Sequence, residues 1–133
     1  MILRAFRPGF TFLAVLALTG GMVWAAESPV TQVQFELTMA RKMGEVCEDL
    51  AFDETGYGAY VTELAESAGA DVADFTAQVE ASPNADALVP HYEAFILRHE
   101  GALFSSRPAF CRAGAREIGE GTGIGRMLTE KGD

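Results

Sequence analysis

Apolar residues after position 28 recur at intervals of three and four, with almost no alternation of period two. That spacing is typical of amphipathic helices. The first predicted helix begins after Ser28, a good N-cap, with Pro29 in the first turn, and it runs to about Leu50. Its apolar arc is wide enough to pack on more than one side, which predicts a central helix. The main stripe of that arc comprises Val33, Leu37, Ala40, Gly44, Cys47 and Ala51.

Three further helices are predicted before residue 101. Asp53 caps the second, which ends at Gly69, and Asp71 caps a short third helix. Aspartate caps a helix because its side chain accepts a hydrogen bond from a free backbone N–H, and glycine ends one readily because it tolerates positive φ. Pro90 leaves the fourth helix open: it begins at Pro90 or is kinked there.

The fifth predicted helix opens at Ser105 or Ser106 and has Pro108 in its first turn. It ends near Glu120, and a short turn follows at 123–129. Proline in the first turn costs no internal hydrogen bond, so this start is favourable. The pattern as a whole predicts an all-α fold, a compact bundle of about five helices.

The first 25 residues have the three parts of a secretory signal peptide. Arg4 and Arg7 precede an apolar run at 10–18, and small or tolerated residues lead to a cleavage site after Ala25. We therefore predict that 1–25 is removed. The mature chain, 26–133, is predicted to be a single helical domain, either periplasmic or secreted.

An uncleaved membrane anchor is the alternative. The stretch 9–26 contains no charge and lies at the lower limit of a bilayer-spanning helix, which needs about 20 residues. A Gly20-Gly21 pair and the cleavage pattern favour removal instead. No cysteine lies near the cut, which excludes a lipoprotein anchor, so we expect no stable membrane insertion after cleavage.

The chain contains two cysteines, Cys47 and Cys111. In an oxidising compartment an isolated pair is usually a structural disulfide. Gly44 on the first helix and Gly114 on the fifth flank these cysteines and allow a close approach. We therefore predict one disulfide that joins the first and fifth helices where they cross, with Cα atoms less than about 7 Å apart.

The full chain has a net charge of −9, and its acids are concentrated before residue 101. An acidic body argues against nucleic-acid binding, which requires neutralisation of phosphates. The C-terminal part is more basic and is the candidate surface for an envelope protein partner. Arg112 and Arg116 could instead pair internally with acids at 45–49. The residues assigned to this surface are Arg107, Arg112, Arg116 and Arg126.

No motif for a catalytic, metal or cofactor site stands out. His91 and His99 lie eight residues apart, about 12 Å along a helix, which is too far for one metal ion. We expect His99 to be a partly buried core residue. The glycine-rich segment 119–125 lacks the strand that precedes a phosphate-binding loop, so we interpret it as a helix stop followed by a cap at Thr122. Catalytic residues, metal ligands and cofactors are therefore assigned as none.

The order of these features resembles DUF5333, a bacterial family of small exported proteins with two cysteines and no known function. The similarity covers most of the mature chain and is sharpest over 110–128, with Phe110-Cys111-Arg112 and then Gly121-Thr122. The resemblance implies an exported protein with a helical fold and one disulfide, and it implies no activity.

Three functions remain open from the sequence. The favoured one is an exported periplasmic binding or accessory protein without enzymatic activity. The second is an acid-stress chaperone, motivated by small size, one disulfide and 19 acidic residues. The third is a small hydrolase, which needs titratable groups that converge in a pocket. Whether the chain is an enzyme is left open, and the missing motifs lean against it.

Overall fold

The computed structural model describes residues 29–99 and 106–132. In these ranges the chain forms six helices and one small sheet, so the all-α prediction is correct in class; the helices number six rather than about five, and the two-stranded sheet was not predicted. The elements in chain order are α1 Pro29–Val46, β1 Leu50–Phe52, α2 Glu54–Ser67, α3 Val72–Glu80, α4 Ala85–Arg98, α5 Arg107–Glu120, α6 Gly123–Arg126 and β2 Leu128–Glu130.

Helix α1 is the centre of the fold, as its wide apolar arc predicted. It packs against α3, α4, α5, α6 and β1. Ala40 and Met43 on its inner face are completely buried, and Val33 and Leu37 are nearly so. Burial of apolar surface at about 25 cal/mol per Å² is the main force that holds the other helices against it.

The small sheet replaces the predicted end of the first helix. Strand β1 pairs antiparallel with β2, with Leu50 opposite Glu130 and Phe52 opposite Leu128. The backbone N–H of Lys131 extends the pairing to the carbonyl of Asp49, at 2.8 Å. Three-residue strands are too short to show a period in the sequence, and the partner of β1 lies at the far end of the chain.

Most helix boundaries follow the local chemistry that predicted them. Asp53, Asp71 and Thr122 accept hydrogen bonds from backbone N–H groups as N-caps. Of the two serines considered for α5, Ser106 is the cap. Gly69, which follows α2, has a φ of 67°, a conformation that favours glycine.

Pro90 neither begins nor ends a helix. Asn84 caps α4, a cap that the sequence analysis missed, and the helix continues through Pro90 to Arg98. The alternative that the helix begins at Pro90 is therefore wrong. Because proline has no N–H, α4 lacks the hydrogen bond that residue 90 would donate to the carbonyl of Asp86.

The predicted disulfide joins Cys47 to Cys111, with the Cα atoms 5.6 Å apart. Its position needs one correction: Cys47 lies one residue beyond α1, so the bond links α5 to the turn that follows α1. The small residues permit this approach as expected. A Cβ on Gly114 would lie 2.6 Å from a methyl carbon of Leu50, and a Cβ on Gly44 would lie 2.7 Å from the backbone nitrogen of Phe52.

Within 29–99 and 106–132, no helix is both long enough and apolar enough to cross a bilayer. The predicted signal peptide and its cleavage site after Ala25 lie outside the described residues, and so does the Ser28 cap. These remain predictions from the sequence.

Candidate ligand-binding site

A cavity of about 460 Å³ lies between α1, α4 and the junction of α5 with α6. Phe35 of α1, Phe95 of α4 and Ile124 of α6 form its apolar walls. The same cavity is lined by the two most buried carboxylates in the described part of the chain, those of Glu36 and Glu117. Concave sites with apolar walls and a few converging polar groups are the usual form of small-molecule sites.

A larger groove of about 630 Å³ runs between α1, α3 and Phe110. Its charged groups are satisfied by one another on the surface: Arg41 and Glu80 form an ion pair with an N–O distance of 2.9 Å. The Tyr57 hydroxyl also donates to Glu80, at 2.7 Å. No buried charge faces this groove among its described lining residues, so the smaller cavity is the better candidate site.

Glu117, near the end of α5, is completely buried. Its carboxylate accepts hydrogen bonds from Arg98 and from the Thr122 hydroxyl. The Nε2 atom of His99 lies 2.7 Å from the same carboxylate. These partners place a basic guanidinium against the buried charge, so Glu117 is compensated within the fold.

Glu36 is only 6 % exposed, and its partner is neutral. The Tyr60 hydroxyl lies 3.0 Å from each oxygen of the carboxylate. Burial raises the pKa of Glu36 above its ordinary value, and the negative charge of Glu117 raises it further. The polar side chains of Tyr60 and Gln32 act in the opposite direction. A carboxylate with this environment resists ionisation unless a positive charge is brought to it.

The ionisation of the Tyr60 hydroxyl is affected by the Glu36 carboxylate. Burial raises the pKa of its hydroxyl, and the neighbouring Glu36 raises it further. The hydroxyl therefore remains protonated and serves as a donor to Glu36. The Arg126 guanidinium also lies near Tyr60, 4.9 Å from the centre of its ring, and binds Glu63 with an N–O distance of 2.8 Å.

Gly123 makes this arrangement possible. A Cβ at this position would lie 1.3 Å from the Oε2 atom of Glu36 and 2.5 Å from the Tyr60 hydroxyl oxygen. The glycine-rich segment is a helix stop and cap, as predicted: Gly121 has a φ of 66° and Thr122 caps α6. Its additional role, the close approach to Glu36, was not predicted.

Aromatic side chains line one side of the cavity. The Phe35 ring centre lies 5.7 Å from that of His91, in a stacked arrangement, and 5.8 Å from that of Phe95. The Arg98 guanidinium lies 5.4 Å from the Phe95 ring centre. His99 is buried against Phe95, as expected of a core residue.

The four arginines of the predicted interaction surface contact different parts of the fold. Arg107 approaches Glu48 at 3.5 Å, and Arg116 binds Glu120 at 2.9 Å. Arg107 thus contacts one of the acids at 45–49 that were considered as partners of Arg112 and Arg116. Arg126 lies on α6 against α2, and Arg112 lines a separate surface pocket near the disulfide. The surface assignment itself remains a prediction.

In the ranges 29–99 and 106–132, no three His, Cys, Asp or Glu side chains are grouped so that they could hold an ion. Around the cavity, the Tyr60 hydroxyl donates to Glu36, His99 lies against Glu117, and the ring of His91 stacks on Phe35.

The sequence contained a signal for this site that the pattern analysis did not use. Glu36 lies between Phe35 and Leu37, three residues after Val33, and therefore within the apolar arc of α1. Glu117 similarly follows Ala113 on the buried face of α5. An acid on a buried helical face requires a partner or a function, which makes such a position informative.

Comparisons of the chain with protein-family models, with curated proteins and with solved structures found no match. Since a fold alone does not specify an activity, the function has to be argued from the chemistry of the site. The relevant chemistry is that of a buried carboxylate at the wall of an open cavity.

Proposed function

We propose that this chain is an exported periplasmic binding protein without enzymatic activity, which holds a small polar ligand in the cavity at Glu36. One observation carries the proposal. The Glu36 carboxylate is buried at the cavity wall, and no ion pair joins it to a basic side chain within the described ranges.

The ionised Glu36 carboxylate destabilises the folded state. Burial of an ionised carboxylate costs several kcal/mol unless a charge compensates it. A glutamine at this position could still accept the hydrogen bond from Tyr60 without that cost. Perturbed ionisable groups in clefts are concentrated at functional sites, because a ligand can supply the missing interaction.

Binding explains the site better than hydrolysis does. A hydrolase needs a nucleophile activated by a base. Of the two histidines, His91 lines the cavity with its ring stacked on Phe35, and the other, His99, is buried behind the cavity wall. Its Nε2 atom, however, lies against Glu117, and the nearby Thr122 hydroxyl donates to that same carboxylate. The polar groups around Glu117 thus satisfy one another and hold the wall of the cavity in place.

Export and membership of DUF5333 are part of the same proposal. They are supported by the predicted signal peptide at 1–25, by the Cys47–Cys111 disulfide, which suits an oxidising compartment, and by the resemblance over 110–128. An envelope protein partner at Arg107, Arg112, Arg116 and Arg126 is compatible with a ligand-binding role.

The test is a ligand screen on the mature chain, 26–133, with the disulfide intact. A set of small cations, anions, zwitterions and neutral compounds is screened by thermal shift, and binders are mapped by amide NMR. We expect at least one binder that shifts the amides of Thr122, Gly123 and Ile124.

Two variants make the screen decisive. Glu36→Gln should remove or weaken binding, whereas Glu45→Gln on the exposed face of the same helix should not. A screen with no binder, or binders that perturb only distant amides, would overturn the proposal.

A second candidate, the acid-stress chaperone, is favoured by the surface cluster at Glu80. The hydrogen bond from Arg41 and then that from Tyr57 lower the pKa of Glu80. Stability from this group is present above its ordinary pKa and is lost as the pH falls through its folded pKa. Glu36 has the opposite effect on stability as the pH falls, because protonation removes the cost of burying its negative charge. Suppression of client aggregation at about pH 3 would support this function, and no suppression would remove it.

A further inference from the structure

The proposed binding function leaves the chemical class of the ligand open. We propose that the ligand carries a protonated amine, that this ammonium group binds the Glu36 carboxylate, and that its hydrocarbon part lies against Phe35 and Phe95. The inference rests on the proposed function and refines it.

Charge balance is the first reason. Glu117 is already paired with Arg98 and lies against His99, whereas Glu36 has no cationic partner in 29–99 and 106–132. The repulsion that Glu36 receives from Glu117 outweighs the attraction that it receives from Arg98. An anionic ligand would add to this repulsion, while a cation would compensate the unbalanced charge.

Hydrogen-bonding capacity is the second reason. A carboxylate offers about four lone-pair sites. The single O–H of Tyr60 is shared between both oxygens of Glu36, at 3.0 Å each, and the Gln32 side chain also bonds to the carboxylate. With these two donors, acceptor capacity remains for the N–H groups of a ligand. Charge-assisted hydrogen bonds of this kind are roughly twice as strong as neutral ones.

The aromatic wall is the third reason. Phe35 and Phe95 line the cavity together with Ile124. Aromatic rings bind hydrocarbon, and their faces also attract cations. A bare divalent ion would gain nothing from these rings and would require about six oxygen ligands, which the described lining residues do not provide.

Three probes that share a phenethyl group test the assignment. Phenethylamine is cationic, 2-phenylethanol is its neutral counterpart, and 3-phenylpropionate is anionic. Their dissociation constants for the mature, disulfide-bonded chain are measured by NMR titration at neutral pH. We expect phenethylamine to bind at least about tenfold more tightly than 2-phenylethanol, since tenfold corresponds to about 1.4 kcal/mol, and 3-phenylpropionate to bind most weakly.

Glu36→Gln supplies the second arm of the experiment. This variant keeps the shape of the side chain and removes its charge, so it should reduce the preference for phenethylamine over 2-phenylethanol to about one. Glu45→Gln, on the exposed face of the same helix, should leave the preference unchanged. A preference that persists in Glu36→Gln would overturn the assignment of Glu36 as the ammonium site.

The outcomes separate this inference from the proposed function. If 2-phenylethanol or 3-phenylpropionate binds in the cavity as tightly as phenethylamine, the amine assignment fails and the binding function stands. If none of the three binds and the broad screen yields only binders without an amine at Thr122 and Gly123, the amine assignment also fails alone. If neither experiment yields a binder, both are overturned.

Discussion

Helices α1 and α5 run in opposite directions, and the two ends of their contact are built differently. At one end Cys47 is bonded to Cys111, and Gly114 lies against Leu50 and Met43 with no charged group between them. We call this region the disulfide end. At the other end the same helices bring the buried side chains of Glu36 and Glu117 to the cavity. We call this region the cavity end.

The difference between the two ends separates stability from function. The disulfide end combines a covalent link with close apolar packing, both of which favour the folded state. The cavity end buries two carboxylates, one compensated by Arg98 and one not. Proteins commonly accept such a cost where a ligand is bound. The following predictions test this contrast, from the largest expected effect to the smallest.

The largest effect is expected at the disulfide end. The double variant Cys47→Ala and Cys111→Ala removes a cross-link between residues 64 positions apart. The chain-entropy model predicts a loss of about 4 kcal/mol in the free energy of unfolding. Urea denaturation of the oxidised protein and the variant measures it. A loss below about 1 kcal/mol would show that the disulfide end does not dominate stability.

A smaller loss is expected when the compensated charge is removed. Glu117→Ala leaves Arg98 and His99 without their buried acceptor, and removal of one member of a buried ion pair typically costs about 3 kcal/mol. Glu120→Ala, on the same helix but exposed, is the matched control: it removes only a surface ion pair with Arg116, and exposed pairs contribute little to stability, so the urea midpoint should change little. Equal midpoints for the two variants would contradict the structural role of Glu117.

Gly123→Ala tests the close approach at the cavity end. Its Cβ would overlap the Glu36 carboxylate, so either Glu36 or α6 must move. Overpacking of this kind costs about 1–3 kcal/mol, and we expect weaker phenethylamine binding as well. Gly119→Ala is the control: it has no atom within 4 Å of its added Cβ, and alanine in a helix is favoured by about 0.5–1 kcal/mol. Unchanged stability and binding in Gly123→Ala would rule out the predicted overlap.

The smallest effect has the opposite sign. Glu36→Gln should raise the free energy of unfolding by about 1 kcal/mol at neutral pH, because it removes an uncompensated buried charge. Tyr60, Glu117 and Arg98 face Glu36 and are unchanged in the variant. Urea midpoints between about pH 4 and pH 8 would measure the difference, with Glu45→Gln as the control.

The pH dependence of this effect follows from the raised pKa of Glu36. Below the ordinary value of 4.5 the side chain is protonated in both the folded and the unfolded chain, so the wild type has its full stability from this group. That stability is lost as the pH rises through the folded pKa. The advantage of Glu36→Gln should therefore be near zero at about pH 4 and grow toward neutrality. An advantage that is constant across this range would exclude ionisation of Glu36 as its cause.

Local features of the fold could be predicted because their causes are local. Asp53, Asp71 and Thr122 cap helices through hydrogen bonds to the backbone N–H three residues later. Gly121 ends α5 because glycine adopts positive φ at low cost. The disulfide could be predicted because the chain has only two cysteines and both are flanked by small residues.

The site could not be predicted in the same way because its partners come from different elements. The contact of Glu36 with Tyr60 joins α1 to α2, and the contact of His99 with Glu117 joins α4 to α5. Which residues face each other depends on how far each helix rotates and slides against its neighbours. Small changes in packing alter that register, and no spacing in the sequence specifies it.

The sequence alone therefore determined the helical class, the central position of α1, the caps at Asp53, Asp71 and Thr122, and the disulfide. Each depends on periodicity, on local hydrogen bonding or on the number of cysteines. Only the tertiary structure decided that β1 pairs with β2 and that Glu36 and Glu117 line one cavity, with Gly123 against Glu36. The physical reason is that the cost of a buried charge depends on its neighbours, and these are assembled from distant parts of the chain only when the helices pack.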